Sequence, residues 1–171
     1  MIIREESPAE YPLIYDFVRE AFKTARVSNG EEQDFVRKLQ TSDRYIPSLS
    51  LVAVENGRII GHVMLSKIQI KSKERPFESL LLAPLSVAGT HRNQGVGSSL
   101  VKTAFETAKW MGYTSVLIVG NPAYYSRFGF RSAKSFGITS AESLPENVFM
   151  ACELVPDSLK GVSGTVDLSF E

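Results

Sequence analysis

The chain has 171 residues, 43% of them apolar and 22% charged, with 19 basic against 19 acidic side chains, which is the length of one domain, 1–171, and the composition of an ordinary soluble globule. Residues 1–30 lack the basic start and apolar core of a secretory leader, and no run approaches the ~20 apolar residues of a membrane span, so a cytoplasmic protein with no membrane partner is expected. A lone Cys152 excludes an internal disulfide, and His62 and His91 have no companions at metal-ligand spacing.

The neutral total hides a polarity along the chain. Residues 1–78 carry 12 basic and 12 acidic side chains, 79–141 carry six basic against Glu106, and 142–171 carry Lys160 against six acids. The net charges are therefore 0, +5 and −5. A basic middle segment without a long Lys/Arg run or a recognised binding motif points to a small polyanion and away from nucleic acid.

Met1–Glu5 reads as a short strand. Ser7-Pro8-Ala9-Glu10 combines a capping residue, proline at the first helical position and a capping-box glutamate. A helix over 8–23 follows, with a core stripe of Leu13, Ile14, Phe17, Val18, Ala21 and Phe22. A second helix, 31–40, presents Phe35, Val36 and Leu39. Asn56-Gly57 is a hairpin signal, because both positions accept positive φ, and it joins strands 50–55 and 58–70. On the second of these, Ile60, His62, Met64 and Ser66 share one face, so His62 is read as an ordinary packed histidine in preference to a site residue. Residues 71–78 read as a loop, and Leu80–Val87 as a central strand whose Pro84 predicts a bulge or an end to pairing.

Next comes His91-Arg92-Asn93-Gln94-Gly95-Val96-Gly97-Ser98, leading into apolar residues at helical spacing: Val96, Leu100, Val101, Ala104, Ala108 and Met111. A strand thus enters a helix through a glycine-rich turn, and the unpaired amides of such a helix start suit a phosphate. A Walker loop fails because no lysine follows Gly97 closely enough, and a dinucleotide fingerprint fails because Leu100 fills its third small position. Arg92-x-x-Gly95-x-Gly97 instead resembles the [RQ]-x-x-G-x-[GA] loop of the GNAT N-acetyltransferases. Leu85-Ser86-Val87 resembles the strand preceding that loop, and Tyr125-Ser126-Arg127-Phe128-Gly129-Phe130 its Y-x-x-x-G-F signature. With Gly120-Asn121-Pro122-Ala123-Tyr124-Tyr125, the chain is similar to a branch of largely uncharacterised bacterial members.

Gly112-Tyr113 reads as a helix stop and Ser115–Val119 as a buried parallel strand, so strand, helix and strand form a right-handed crossover. A short helix is expected at 123–128, core positions at Phe130, Phe136 and Phe149, and strands at 147–154 and 162–170. Cys152, within the apolar run 148–154, reads as an inert core thiol.

The resemblance implies a mixed α/β fold: a central, mostly antiparallel sheet with helices on both faces and a splayed central strand. It implies acetyl-CoA as donor and an amine as acceptor, either a small molecule or a peptide, and it admits a homodimer. Pantetheine would pair with Leu85, Ser86 and Val87. The diphosphate would lie at Arg92, Asn93, Gln94, Gly95, Val96, Gly97 and Ser98, with Asn121 and Tyr124 as further contacts, and Tyr125 would be the general acid. The segment 27–32 would border the acceptor. The proton acceptor stays open among Glu20, Glu31, Glu32, His62 and water, since 80–87 contains no acid. A cationic acceptor would suit the acidic tail, including Glu142, Glu146 and Glu153. The alternative is a non-catalytic acyl-CoA-binding or sensory module.

Overall fold

The computed structural model describes residues 1–25, 28–145 and 147–169. Its fold is mixed α/β, with strand neighbours in the order β1-β2-β3-β4-β5-β8-β6 and with β9 bonded to β3 and β7. The strands are β1 (Ile2–Glu5), β2 (Ser50–Glu55), β3 (Arg58–Lys71), β4 (Pro76–Val87), β5 (Ser115–Val119), β6 (Arg131–Ser132), β7 (Ile138–Ser140), β8 (Phe149–Glu153) and β9 (Gly164–Val166). The helices are α1 (Tyr11–Lys23), α2 (Glu32–Gln40), α3 (Val96–Trp110) and the short α4 (Pro122–Tyr125). Pairs β4–β5 and β7–β9 are parallel, whereas β1–β2, β2–β3, β5–β8 and β6–β8 are antiparallel. Among the described residues no helix is long and apolar enough to cross a membrane.

Contacts divide the chain into two units, the first comprising Met1–Ser66 with Ala83–Thr107 and the second Lys67–Leu82 with Ala108–Glu171. In the first, Ser7 N–H donates to Glu10 Oε1 at 2.9 Å, the backbone half of the expected capping box, and Arg4 grips the same carboxylate with bonds of 2.8 and 2.7 Å. Pro8–Glu10 form a 3₁₀ turn, and the α-helix proper begins at Tyr11. Ile14, Val18 and Ala21 are buried along α1, but Leu13, expected in the stripe, is 62% exposed. It lies one position off the buried i, i+4, i+7 row, where the outer edge of an apolar stripe meets water. Asn56 and Gly57 take φ of 51° and 74° and close the β2–β3 hairpin as expected.

β3 is buried on both faces from Ile60 to Ser66. On one face, Gly61 lies under the first turns of α3: a Cβ there would stand 2.8 Å from Leu100 Cδ1 and 2.9 Å from Val96 Cγ1. On the other, His62 is fully buried and its Nε2 is 2.7 Å from Glu6 Oε1. The second oxygen of Glu6 accepts from the Tyr45 hydroxyl at 2.8 Å and from the Gln40 amide, at the end of α2, at 2.9 Å. The packed-histidine reading is therefore the observed one.

The second unit holds the parallel register Leu80↔Val116 and Leu81↔Leu117, after which β5 continues against β8 from Ser115↔Glu153 to Val119↔Phe149. Buried Ser79 and Ser115 share a hydrogen bond of 2.7 Å. β4 starts at Pro76, so the expected loop 71–78 shrinks to 72–75; proline is tolerated as a first strand residue because nothing there needs its missing N–H. Tyr113 N–H bonds back to Ala108 O and Gly112, with φ of 94°, stops α3, which leaves Met111 outside the helix and 43% exposed. Phe130 and Phe149 are buried, but Phe136 is only half-buried, with Arg131 over its ring at 4.7 Å. The expected strands 147–154 and 162–170 narrow to β8 and β9, and Val27, Glu146 and Phe170 lie outside the described residues.

Candidate active site

The end of β4, from Ala83, belongs to the first unit and holds the expected site residues Leu85, Ser86 and Val87. Ala88 N donates to Ile60 O at 2.9 Å, so that residue faces β3 across an antiparallel ladder. Alternation then turns the N–H and C=O groups of Leu85 and Val87 away from β3. These two residues are half-buried, whereas the Ser86 side chain is turned into the core and is 4% exposed. The parallel register with β5 is confined to Leu80 and Leu81, upstream of Pro84 and its cis Ala83–Pro84 peptide. Among the described residues the outward main-chain groups of Leu85 and Val87 thus lie beyond the parallel register with β5, where Pro84 predicted a change of pairing.

A 3₁₀ turn, Gly89–His91, leads into the glycine loop. His91 anchors it: Nε2 is 2.9 Å from Glu55 Oε2 at the end of β2, and Nδ1 is 2.8 Å from Thr90 Oγ1. Asn93 and Gly95 both take positive φ, 61° and 82°, a geometry that turns successive amides toward one concave side. The first bond of α3 runs from Ser99 N to Gly95 O at 3.0 Å, so Val96, Gly97 and Ser98 N–H have no carbonyl of their own helix to meet. A Cβ on Gly95 would meet nothing within 4 Å, and Gly97 is buried at the root of the helix. An open position at Gly95, beside three unpaired amides at the positive end of a 15-residue helix, fits an anion. The long side chains of the loop behave differently: Gln94 folds onto Thr90 O at 3.3 Å and Arg92 onto Ala21 O at 2.8 Å.

In the second unit Asn121 caps α4, its Oδ1 accepting from Ala123 N at 3.0 Å. Tyr124 lies under the Arg127 guanidinium, 4.4 Å from its ring, and packs edge-on to Tyr125 and Phe128. Tyr125 packs against Tyr124, Phe128 and Phe130 at centroid separations of 4.9, 6.2 and 5.9 Å. Burial, with a smaller contribution from Tyr124, pushes its phenol well above the usual tyrosine range, so the proton is retained. Among the described residues its hydroxyl has no hydrogen-bond partner, whereas the Tyr45 hydroxyl is committed to Glu6. Gly120 was not singled out by sequence, yet a Cβ there would fall 2.6 Å from Tyr125 Cε2. Only glycine lets that ring lie flat on the backbone leaving β5.

Of the candidate proton acceptors, Glu20 and Glu32 have carboxylates engaged locally, whereas Glu31 is engaged through its main chain. Glu20 pairs with Lys23 at 2.7 Å, Glu32 accepts from Ser28 Oγ and Asn29 N before α2, and the Glu31 amide bonds Asn29 Oδ1. In the acidic tail, Glu142 accepts from the Leu168 and Ser169 amides and Glu153 from Leu159 N. These carboxylates hold turns in place.

Within the first unit, a strand that outruns its parallel neighbour and leads into an unpaired helix start has the form expected of an acetyltransferase. The chain matches the acetyltransferase (GNAT) domain family over residues 2–133, and it belongs to that family. It is 32% identical over 168 residues to the uncharacterised N-acetyltransferase YhbS of Escherichia coli (strain K12), covering 98% of this chain and 95% of that one. The crystal structure of the E. coli GNAT family N-acetyltransferase YhbS in complex with CoA superposes with a TM-score of 0.86 at 30% identity, over 97% of this chain and 88% of that one. A GNAT family acetyltransferase from Brucella melitensis in complex with acetyl-CoA gives a TM-score of 0.77 at 25% identity, over 99% and 95% of the two chains.

Proposed function

We propose that this chain transfers the acetyl group of acetyl-CoA to an amine, carried either by a small molecule or by a peptide. The observation that carries the reading is the loop Asn93–Ser98, where the open position at Gly95 adjoins three helix-start amides with no carbonyl of their own helix. Similarity to proteins crystallised with CoA and with acetyl-CoA supports the same donor. The donor supplies an activated acyl thioester. Amides of Val96, Gly97 and Ser98 hold its diphosphate, and the outward main-chain groups of Leu85 and Val87 pair with its amide arm as a further strand would. Val87 N–H is oriented to stabilise negative charge on a carbonyl oxygen. Tyr125 keeps its proton in the free enzyme and gives it to the departing sulfur.

An amine panel assayed for acetyl-CoA-dependent thiol release tests this directly. At least one amine is expected to give release that saturates in both substrates. Tight CoA binding with no amine-dependent release from any member of the panel would identify a binding module instead.

A further inference from the structure

Helix α1 ends without a glycine. Its cap, Thr24, has φ −109° and ψ 9°, not the left-handed geometry that closes many helices. Thr24 and Ala25 N–H both turn back to Phe22 O. The neighbouring carbonyls of Ala21 and Thr24 therefore need donors from elsewhere. They receive them from far along the sequence: Arg92 Nη2 lies 2.8 Å from Ala21 O and Nη1 3.5 Å from Thr24 O. A guanidinium suits this place twice over, because its planar fork spans two acceptors and its charge meets the negative end of the helix dipole. Gln94, two residues on, is likewise turned onto a carbonyl, that of Thr90. Both long polar side chains of the loop are thus spent on main-chain carbonyls.

From this we infer that Arg92 is a positioning residue that fastens the glycine loop to the end of α1, leaving recognition of the donor diphosphate to main-chain amides. The inference rests on the donor reading given above. By linkage, a ligand that orders the loop also steadies the last turn of α1, and the reverse holds to the same degree.

Calorimetry and hydrogen exchange with CoA as the probe test the assignment, on the wild type and on Arg92→Ala. In the wild type CoA is expected to slow exchange at the Thr24 and Ala25 amides, which report the last turn of α1. In Arg92→Ala that protection is expected to vanish and CoA to bind about tenfold more weakly, while the slope of log Kd against log salt stays parallel to the wild type, since no phosphate contact has been removed. A flatter salt slope in the variant would place the guanidinium on the phosphates and overturn the inference. So would unchanged exchange at Thr24 and Ala25 when CoA saturates the wild type, a result that needs no variant to fold. A wild type that does not bind CoA would instead sink the donor reading, and this inference with it.

Discussion

Tyr125 is held by packing alone, its ring wedged among Tyr124, Phe128 and Phe130 with Gly120 beneath it. Tyr125→Phe keeps that packing and removes only the hydroxyl with its proton, so turnover is expected to fall about 10²–10⁴-fold, the usual range for a general acid, with CoA affinity unchanged by calorimetry. A drop in kcat of less than about threefold would remove the residue from the chemistry. Gly120→Ala should reach a related end by another route, because its methyl must displace a ring carbon now 2.6 Å from the Cβ position. The expected result is a stability loss of about 1–3 kcal/mol together with reduced kcat, read from urea midpoints and steady-state rates. Tyr125 was singled out in the sequence because its neighbours form a spaced signature, and its packing among Phe128 and Phe130 is what the structure adds. Gly120 was not, since its role is set by a ring five residues later folding back over the backbone.

Among elements, α3 is positioned by what β3 lacks. Val96 and Leu100 sit on Gly61, and Val96 is also one of the residues whose amides line the loop. Gly61→Val is expected to lift the start of the helix, cost about 1–3 kcal/mol and raise KM for acetyl-CoA more than it lowers kcat. Equal changes in both would show that the effect is not confined to donor binding. The helices were legible through their apolar spacing and the capping box at Ser7, and the hairpin through Asn56-Gly57. The first turn of β4 was not, because Pro76 and Glu78 carry the composition of a loop and owe their strand conformation to neighbours distant in sequence. Pro84 was read correctly as a sign that pairing changes, but not the cis peptide before it. Arg92 was read as a contact of the donor diphosphate and not as a partner of α1, since nothing local announces that α1 lacks a cap of its own.

For the molecule as a whole, acid response follows from carboxylates held below their ordinary range. Arg4 bonding, with the Ser7 amide, keeps Glu10 at about 2. Burial alone would raise Glu6, but the bonds with His62 and Tyr45 outweigh it and hold the group lower. A depressed carboxylate contributes stability in full above its unfolded value near 4.5 and loses it as pH falls toward the folded value. The wild-type urea midpoint should therefore decline from about pH 5 toward pH 2, and Glu10→Gln should decline less. Removing the acceptor at the other site is more severe: Glu6→Leu strands the buried His62 imidazole at about 1–3 kcal/mol and takes the acceptor from the half-buried Tyr45 hydroxyl and Gln40 amide as well, measured as a lower midpoint with unchanged m-value. Finally, Cys152 is 4% exposed, bonded to Phe128 O, and pushed up to about 11 chiefly by burial. At pH 8 only on the order of one thiol in a thousand is ionised. A chromogenic disulfide reagent that counts liberated coenzyme would thus see almost no background from the enzyme itself until the β8 region opens, and the same sulfur then becomes a one-equivalent clock for that opening.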